Sequence, residues 1–227
     1  PAQVASGPTV PDAVDARAAL AMITAWKIAL PETVLAHIRS DASAAPDPRD
    51  PVFARNEVHV IASARISLEA AAARAEAQGV PAVILSDAIE GEARDVGRVH
   101  AALAREVARR NRPFVAPVVM LSGGETTVTL RGDGGRGGRN TEFLLAFAQA
   151  VDGLEGIHAL AADTDGIDGT EDNAGAFADG TSAGRLRDSG HDAMTALARN
   201  DAWGAFDQLG DLFSPGPTGT NVNDFRA

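Results

Sequence analysis

Two apolar runs on either side of a helical segment constrain this chain more than any other feature. Val80–Leu85 (VPAVIL) is a continuous apolar run, as expected for a strand covered on both faces, and Val115–Leu121 is the next strand. Between them Val96, Val99, Leu103 and Val107 recur at spacings of three and four, which predicts a helix over Val96–Arg110. Upstream, Val58, Val60 and Ala62 alternate with polar neighbours, predicting a strand over Glu57–Ala62. Leu68–Gln78 is an alanine-rich helix that stops at Gly79. Strand, helix, strand, helix, strand in this order calls for right-handed crossovers. The expected fold class is therefore α/β, a mostly parallel or mixed sheet with flanking helices.

The rest of the chain extends the pattern. Ala13–Leu30 carries helical apolar spacing, Pro31 opens a short helix through Ile38, and the proline- and aspartate-rich Asp41–Pro51 reads as a connection. After Leu121, Glu125–Leu130 alternates as a strand, and Arg131–Arg139 is a loop. A helix over Asn140–Val151 faces Phe143, Leu144 and Phe147 inward, and Ile157–Ala162 is a strand running into Asp163. Helices near Ser182–Arg187, Ala193–Arg199 and Ala202–Gln208, a turn at Ser214–Thr220 and a short last strand complete the reading.

Bulk properties narrow the function. The 227 residues can bury one good core or two small ones. With 20 Lys+Arg against 31 Asp+Glu, the net charge of −11 repels nucleic-acid backbones and anionic lipid, so neither is expected as a partner. A small anionic ligand needs only a local positive cluster. The absence of cysteine removes disulfides, thiolate nucleophiles and zinc–cysteine sites, and fits a cytoplasmic protein. The longest apolar stretch, Phe114–Leu121, is eight residues including a proline, far below the roughly 20 that span a bilayer. The opening Pro1, with Ala5–Thr9 reading like a turn out of an earlier segment, leads us to expect a piece of a longer protein.

The most informative segment is Arg131-Gly-Asp-Gly-Gly-Arg-Gly-Gly-Arg-Asn140. Glycine lets backbone N–H groups approach a ligand, and the following helix offers free amides and a positive dipole end. Arg136 and Arg139 can add planar forks suited to phosphate oxygens, and Asn140 is the expected N-cap. The competing reading is a flexible surface loop. Gly132-x-Gly134-x-x-Gly137 also matches the dinucleotide fingerprint. The strand before it is threonine-rich, however, and Asp152, at the acidic residue's spacing, falls at a helix end.

A second constellation, Ala161-Ala-Asp-Thr-Asp-Gly-Ile-Asp168, sets three carboxylates just past a strand end, where open α/β sheets bind ligands. Asp163, Asp165 and Asp168 could hold Mg²⁺, or one could take a hydroxyl proton. The alternative is an Asx-turn rich in helix caps. Ser122-Gly-Gly-Glu-Thr126 leaves a strand in the same manner, and Thr218–Asp224 is dense in hydrogen-bonding side chains. The five histidines show no ligand spacing, and each is expected to be structural.

Taken together, Ser122-Gly-Gly-Glu-Thr-Thr-Val-Thr129, Gly135-Arg-Gly-Gly-Arg-Asn-Thr-Glu-Phe143, Ala162-Asp-Thr-Asp-Gly-Ile-Asp-Gly-Thr170 and Gly216-Pro-Thr-Gly-Thr-Asn-Val-Asn-Asp224 resemble, in order, the MOFRL domain of the class II glycerate kinases. Some members of that family carry the name hydroxypyruvate reductase. The resemblance covers roughly residues 117–226, and the opening Val4–Thr9 looks like the end of the family's first, Rossmann-like domain. It implies that residues 1–50 are the tail of that domain and that 51–227 are an α/β unit containing the MOFRL domain.

It further implies ATP-dependent, Mg²⁺-assisted phosphorylation of D-glycerate to 2-phosphoglycerate. Arg139, Arg136 and Asp165 would be catalytic. Gly123, Gly124, Glu125, Thr126, Gly134, Gly135, Gly137, Gly138 and Asn140 would line the nucleotide. Ser6, Thr9 and Asn221 would meet the substrate, and Asp163 and Asp168 a metal. Family members are about twice this length and carry a catalytic lysine in their first domain, so the chain alone is expected to be inactive. A homodimer is compatible with the resemblance, and an NAD(P)H-dependent reductase and a non-catalytic nucleotide-binding module are the alternatives.

Overall fold

The computed structural model describes residues 10–12, 14–40, 42, 46–131 and 134–227. The chain divides into two compact units, Pro1–Ile61 and Ala62–Ala227. In the first, helix α1 (Ala16–Ala25) starts at Asp15, whose carboxylate accepts the Ala18 amide, and helix α2 (Glu32–Ile38) follows Pro31. A 3₁₀ turn, Pro51–Arg55, is capped by Asp50. None of its described residues is buried. The strand expected over Glu57–Ala62 is absent: the segment is irregular and Ile61 is 91% exposed. Alternation stabilises a strand only where a neighbouring strand takes up its backbone groups, and none of the described strands pairs with it.

The second unit opens with α3 (Ala64–Ala77), whose N-cap Ser63 accepts the Ile66 amide. The chain leaves it through Gly79 at φ +81°, as the sequence predicts. There follow β1 (Ala82–Glu92), α4 (Ala93–Arg110), β2 (Val119–Thr127), α5 (Arg139–Ala150), β3 (His158–Asp163) and β4 (Gly175–Asp179). Three short helices, α6 (Ser182–Asp188), α7 (Ala193–Ala198) and α8 (Ala202–Leu209), precede the short strands β5 (Leu212–Phe213) and β6 (Asp224–Arg226). The six strands form one sheet in the order β1-β2-β6-β3-β4-β5.

Only β1 and β2 are parallel neighbours; every other adjacent pair is antiparallel, so the sheet is mixed. The cause is β6. The last strand returns between β2 and β3 and runs against both, pairing Phe225 with Gly123 on one side and Ala162 on the other. β2 and β3 therefore point the same way, and α5 crosses between them.

The two strands expected at Val115–Leu121 and Glu125–Leu130 are one continuous strand, β2. Its Ser122-Gly-Gly segment is not a turn: Gly123 has the Asp224 carbonyl and Leu68 against it, and Gly124, at φ +125°, lies against the backbone of Ile89. Nor is β1 covered on both faces, since it is the sheet's edge and Ile84 is 41% exposed.

The core lies where α5 meets the sheet. Every residue from Asn140 to Ala148 is buried, the signature of a helix covered all round. Phe143, Leu144 and Leu145 pack with Ala161, Ala176, Leu186, Leu197 and Phe206, while Phe147 and Val151 pack with Ala101, Ala104 and Ile157. Arg94 of α4 pairs with the buried Glu142 and reaches the Leu197 carbonyl at 3.0 Å, tying α4, α5 and α7 together. A helix held this firmly fixes the position of the residue at its start, Arg139.

Candidate active site

The ends of β2 and β3 and the start of β6 meet at the N-terminus of α5, and the charged groups collect there. Arg139, half-buried, donates from Nε to Asp224 at 2.5 Å and from Nη2 to Asp163, and its Nη1 lies 3.5 Å from Glu125. Asp224 is fully enclosed. Its second oxygen accepts the Thr126 amide and hydroxyl at 3.1 Å each and pairs with Arg226. Asn140 donates to Asp224 at 3.0 Å. One carboxylate thus joins β2, β6 and α5.

Asp163 stands at the end of β3 with 5% of its side chain exposed. Burial pushes its carboxyl up to about 6, with the Arg139 guanidinium beside it pulling the other way. Asp165, two residues on, is oriented by the Ile167 amide at 2.9 Å and the Asn221 side chain at 3.0 Å. The 164–166 and 216–223 segments bind each other through Thr164, whose hydroxyl donates to the Asn223 carbonyl and accepts the Val222 amide, both at 2.8 Å. The third and fourth sequence motifs therefore form one layer.

Asp168 does something else. It is 0% exposed, and its two oxygens accept the amides of Asn140 (2.9 Å) and Thr141 (2.8 Å), the Thr141 hydroxyl (2.8 Å) and the Asn140 side chain (3.3 Å). It caps α5 from across the fold, the reading of this segment as a source of helix caps. The N-cap position itself is Gly138, not the expected Asn140, which is the helix's second residue. Two of the amides expected to face an anion thus face an internal carboxylate.

The glycine loop is packed on both sides. Side chains at Gly135 and Gly137 would strike Asp201 and Trp203, and one at Gly138 would strike Asp168, whereas Gly134, at φ +69°, faces open space. The Arg136 amide goes to Asp201 (3.2 Å) and the Gly138 amide to the Thr141 hydroxyl (3.0 Å). Among the described residues the amides of Gly134, Gly135, Gly137 and Arg139 keep no partner. Arg136 is more exposed than Arg139: it lies over the Trp203 ring and pairs with Glu171 at 2.6 Å.

Of the residues singled out from the sequence, the fold gathers Glu125, Arg139, Asn140, Asp163, Asp165 and Asn221, with Arg136 and Gly134–Gly138 alongside. Gly123, Gly124 and Thr126 are buried in contacts between strands. Ser6, Thr9 and Gly132 lie outside the described residues. The expectation that Asp163 and Asp168 hold a metal is not met by the geometry. Asp168 is spent on α5 and Asp163 on Arg139, and among the described residues no group of three or more His, Cys, Asp or Glu could hold a metal ion. Asp224, Arg226, Trp203 and Glu171 were not singled out. Asp224 stands in the fourth motif, so its signal was present; Trp203 and Glu171 carry none.

A large cavity, about 460 Å³ and mostly apolar, lies at the opposite ends of β2 and β3, by Met120, His158 and Ala227. His100 faces it, donating from Nδ1 to the Val96 carbonyl (2.9 Å), so that Nε2 of the neutral ring accepts the Ser122 hydroxyl (2.9 Å). Burial pushes its pKa down, as for a structural neutral imidazole.

The unit is thus a mixed-sheet α/β domain with an ion-pair network at its strand ends, served by a glycine-rich loop. Residues 118–224 match the MOFRL family. The chain is 47% identical over its whole length to an Agrobacterium vitis protein provisionally named a hydroxypyruvate reductase, of which it covers 51%. It is 41% identical, over 97% of its length, to a glycerate 2-kinase of Pyrococcus horikoshii, covering 50% of it. A crystal structure of glycerate kinase from Thermotoga maritima superposes on 95% of the chain with a TM-score of 0.83 and 35% identity, with 50% of that structure covered. The chain spans about half the length of these relatives.

Proposed function

We propose that this chain is the C-terminal portion of a kinase that transfers the γ-phosphoryl group of ATP to the 2-hydroxyl of D-glycerate, and that turnover requires the portion of its relatives it does not cover. On this reading residues 1–50 are the tail of the preceding domain, and the enzyme works in the cytoplasm. The observation that carries the reading is Arg139: a guanidinium fixed by Asp224 and Asp163 beside loop amides that have no partner among the described residues. Phosphoryl transfer asks mainly for positioned charge, and a group already held in place loses no energy in reorganising.

The roles follow from the contacts. Arg139, with Arg136 beside it, would neutralise charge growing on the transferring group. The amides of Gly134, Gly135 and Gly137 would take phosphate oxygens. Asp165, aligned by Asn221, or Asp163, whose carboxyl titrates near pH 6, would accept the hydroxyl proton as the new O–P bond forms and the bond to ADP breaks. Mg²⁺ supplies further neutralisation of phosphate charge where it is bound. Among the described residues the carboxylates do not converge on one.

The reductase alternative needs a pyrophosphate on the N-terminal amides of α5, and Asp168 occupies those of Asn140 and Thr141. Assays of the complete protein separate the readings. Incubation with ATP and D-glycerate should yield ADP and 2-phosphoglycerate, with no NADH or NADPH oxidised by hydroxypyruvate. Oxidation of NADH without ATP consumption would overturn the kinase assignment.

A further inference from the structure

Arg136 is held by a segment that belongs to none of the four motifs. The start of α8 brackets its backbone: the Arg136 amide donates to the Asp201 carboxylate at 3.2 Å, and its carbonyl accepts the Trp203 amide at 2.9 Å. The side chain then lies over the indole, its guanidinium carbon 3.4 Å from the ring centroid. The flanking glycines complete the fit, because a side chain at Gly135 would strike Asp201 and one at Gly137 would press on the Trp203 amide at 3.0 Å.

The indole N–H of Trp203 is buried and has no partner among the described residues. A hydrogen bond therefore does not explain this tryptophan, whereas its ring face does. Stacking restrains a flexible side chain without consuming any of its N–H donors. One edge of the guanidinium meets Glu171 at 2.6 Å, with 54% of the arginine side chain exposed. An ion pair this open to solvent is weakly held, so a phosphate bearing more charge can take Glu171's place.

From this geometry we infer that Trp203 is a positioning residue for the phosphoryl-transfer site. Its ring and backbone amide present Arg136 to the nucleotide phosphates, and Glu171 occupies that edge until nucleotide arrives. The inference rests on the kinase reading given above. It predicts that Trp203 matters for ATP and not for glycerate, and that Trp203 and Arg136 act as one unit.

Steady-state kinetics of the complete protein test it, with Trp203→Ala, Trp203→Phe, Arg136→Ala and the Trp203→Ala/Arg136→Ala double variant. Trp203→Ala should raise KM for ATP about 2- to 30-fold, the range a cation–π contact spans, and leave KM for glycerate unchanged. Trp203→Phe should recover most of the loss. The double variant should be no worse than Arg136→Ala alone. An unchanged ATP KM in Trp203→Ala, or losses that multiply in the double variant, would overturn the positioning role. So would a fall in melting temperature with both KM values raised alike and no recovery by phenylalanine. If the wild-type protein consumes no ATP with glycerate, it is the kinase reading that fails.

Discussion

Replacing Asp168 with alanine isolates the cross-fold cap of α5. The carboxylate is fully enclosed and accepts four hydrogen bonds from Asn140 and Thr141. Its removal strands two buried backbone donors, at roughly 1–3 kcal/mol each. Part of that cost is offset, because burial already raises the Asp168 pKa and so disfavours the charged form. A net loss of about 3 kcal/mol is expected, above the roughly 2 kcal/mol of the strongest single helix caps, because two donors are stranded at once. For a unit of this size each kcal/mol moves the melting temperature by about 2–4 °C, which gives a fall of about 6–12 °C. Asp168→Asn keeps one carbonyl acceptor but turns amide donors on the helix amides, so it should fall between wild type and alanine. Thermal unfolding followed by circular dichroism reads both variants. A shift below about 2 °C for Asp168→Ala would refute the cap and reopen Asp168 to a ligand role.

Two further outcomes follow from the same geometry. Because burial lifts the Asp163 carboxyl from 3.8 to about 6, the folded state binds its proton more tightly than the unfolded chain. The stability it contributes is complete below about pH 4 and is lost as pH rises through 6, so the difference between wild type and Asp163→Asn should change across that window; an unvarying difference would contradict it. Gly124→Ala should destabilise by on the order of 3 kcal/mol in urea, since φ is +125° and the new methyl would strike the Ile89 backbone; a wild-type midpoint would contradict that packing.

The helices were legible because each writes its own signals locally. The helix over 96–110, Gly79 after α3 and the inward face of Phe143, Leu144 and Phe147 appear in the fold as read, although Val99 of the 96–110 stripe faces solvent and α4 buries Gly97, Ala101 and Ala104 instead. The strands were less so. β4, Gly-Ala-Phe-Ala-Asp179, is too short and too rich in small residues to announce itself. The glycines inside β2 imitate a turn, because their need comes from Asp224, Leu68 and Ile89, far away in sequence.

The final strand was expected, but its place between β2 and β3 was not, and that insertion makes the sheet mixed. The site divides in the same way. Motif spacing pointed to Arg139, Asp163 and Asp165. It could not tell that Asp168 faces a helix and Asp163 an arginine, or that Trp203 lies under Arg136, because burial and partner choice arise only on folding. The glycines of the loop were read as space for a ligand, and three of the described ones are instead space for neighbouring protein.

Arg139→Lys in the complete protein, assayed for 2-phosphoglycerate formation from ATP and D-glycerate, addresses the phosphoryl-transfer assignment most directly. Lysine keeps the charge but cannot span Asp224 and Asp163 with a planar fork. The predicted result is a loss of about 10²–10³ in kcat, with the circular dichroism spectrum of a folded protein. Turnover within about threefold of wild type would contradict the assignment of Arg139 to the reacting phosphoryl group.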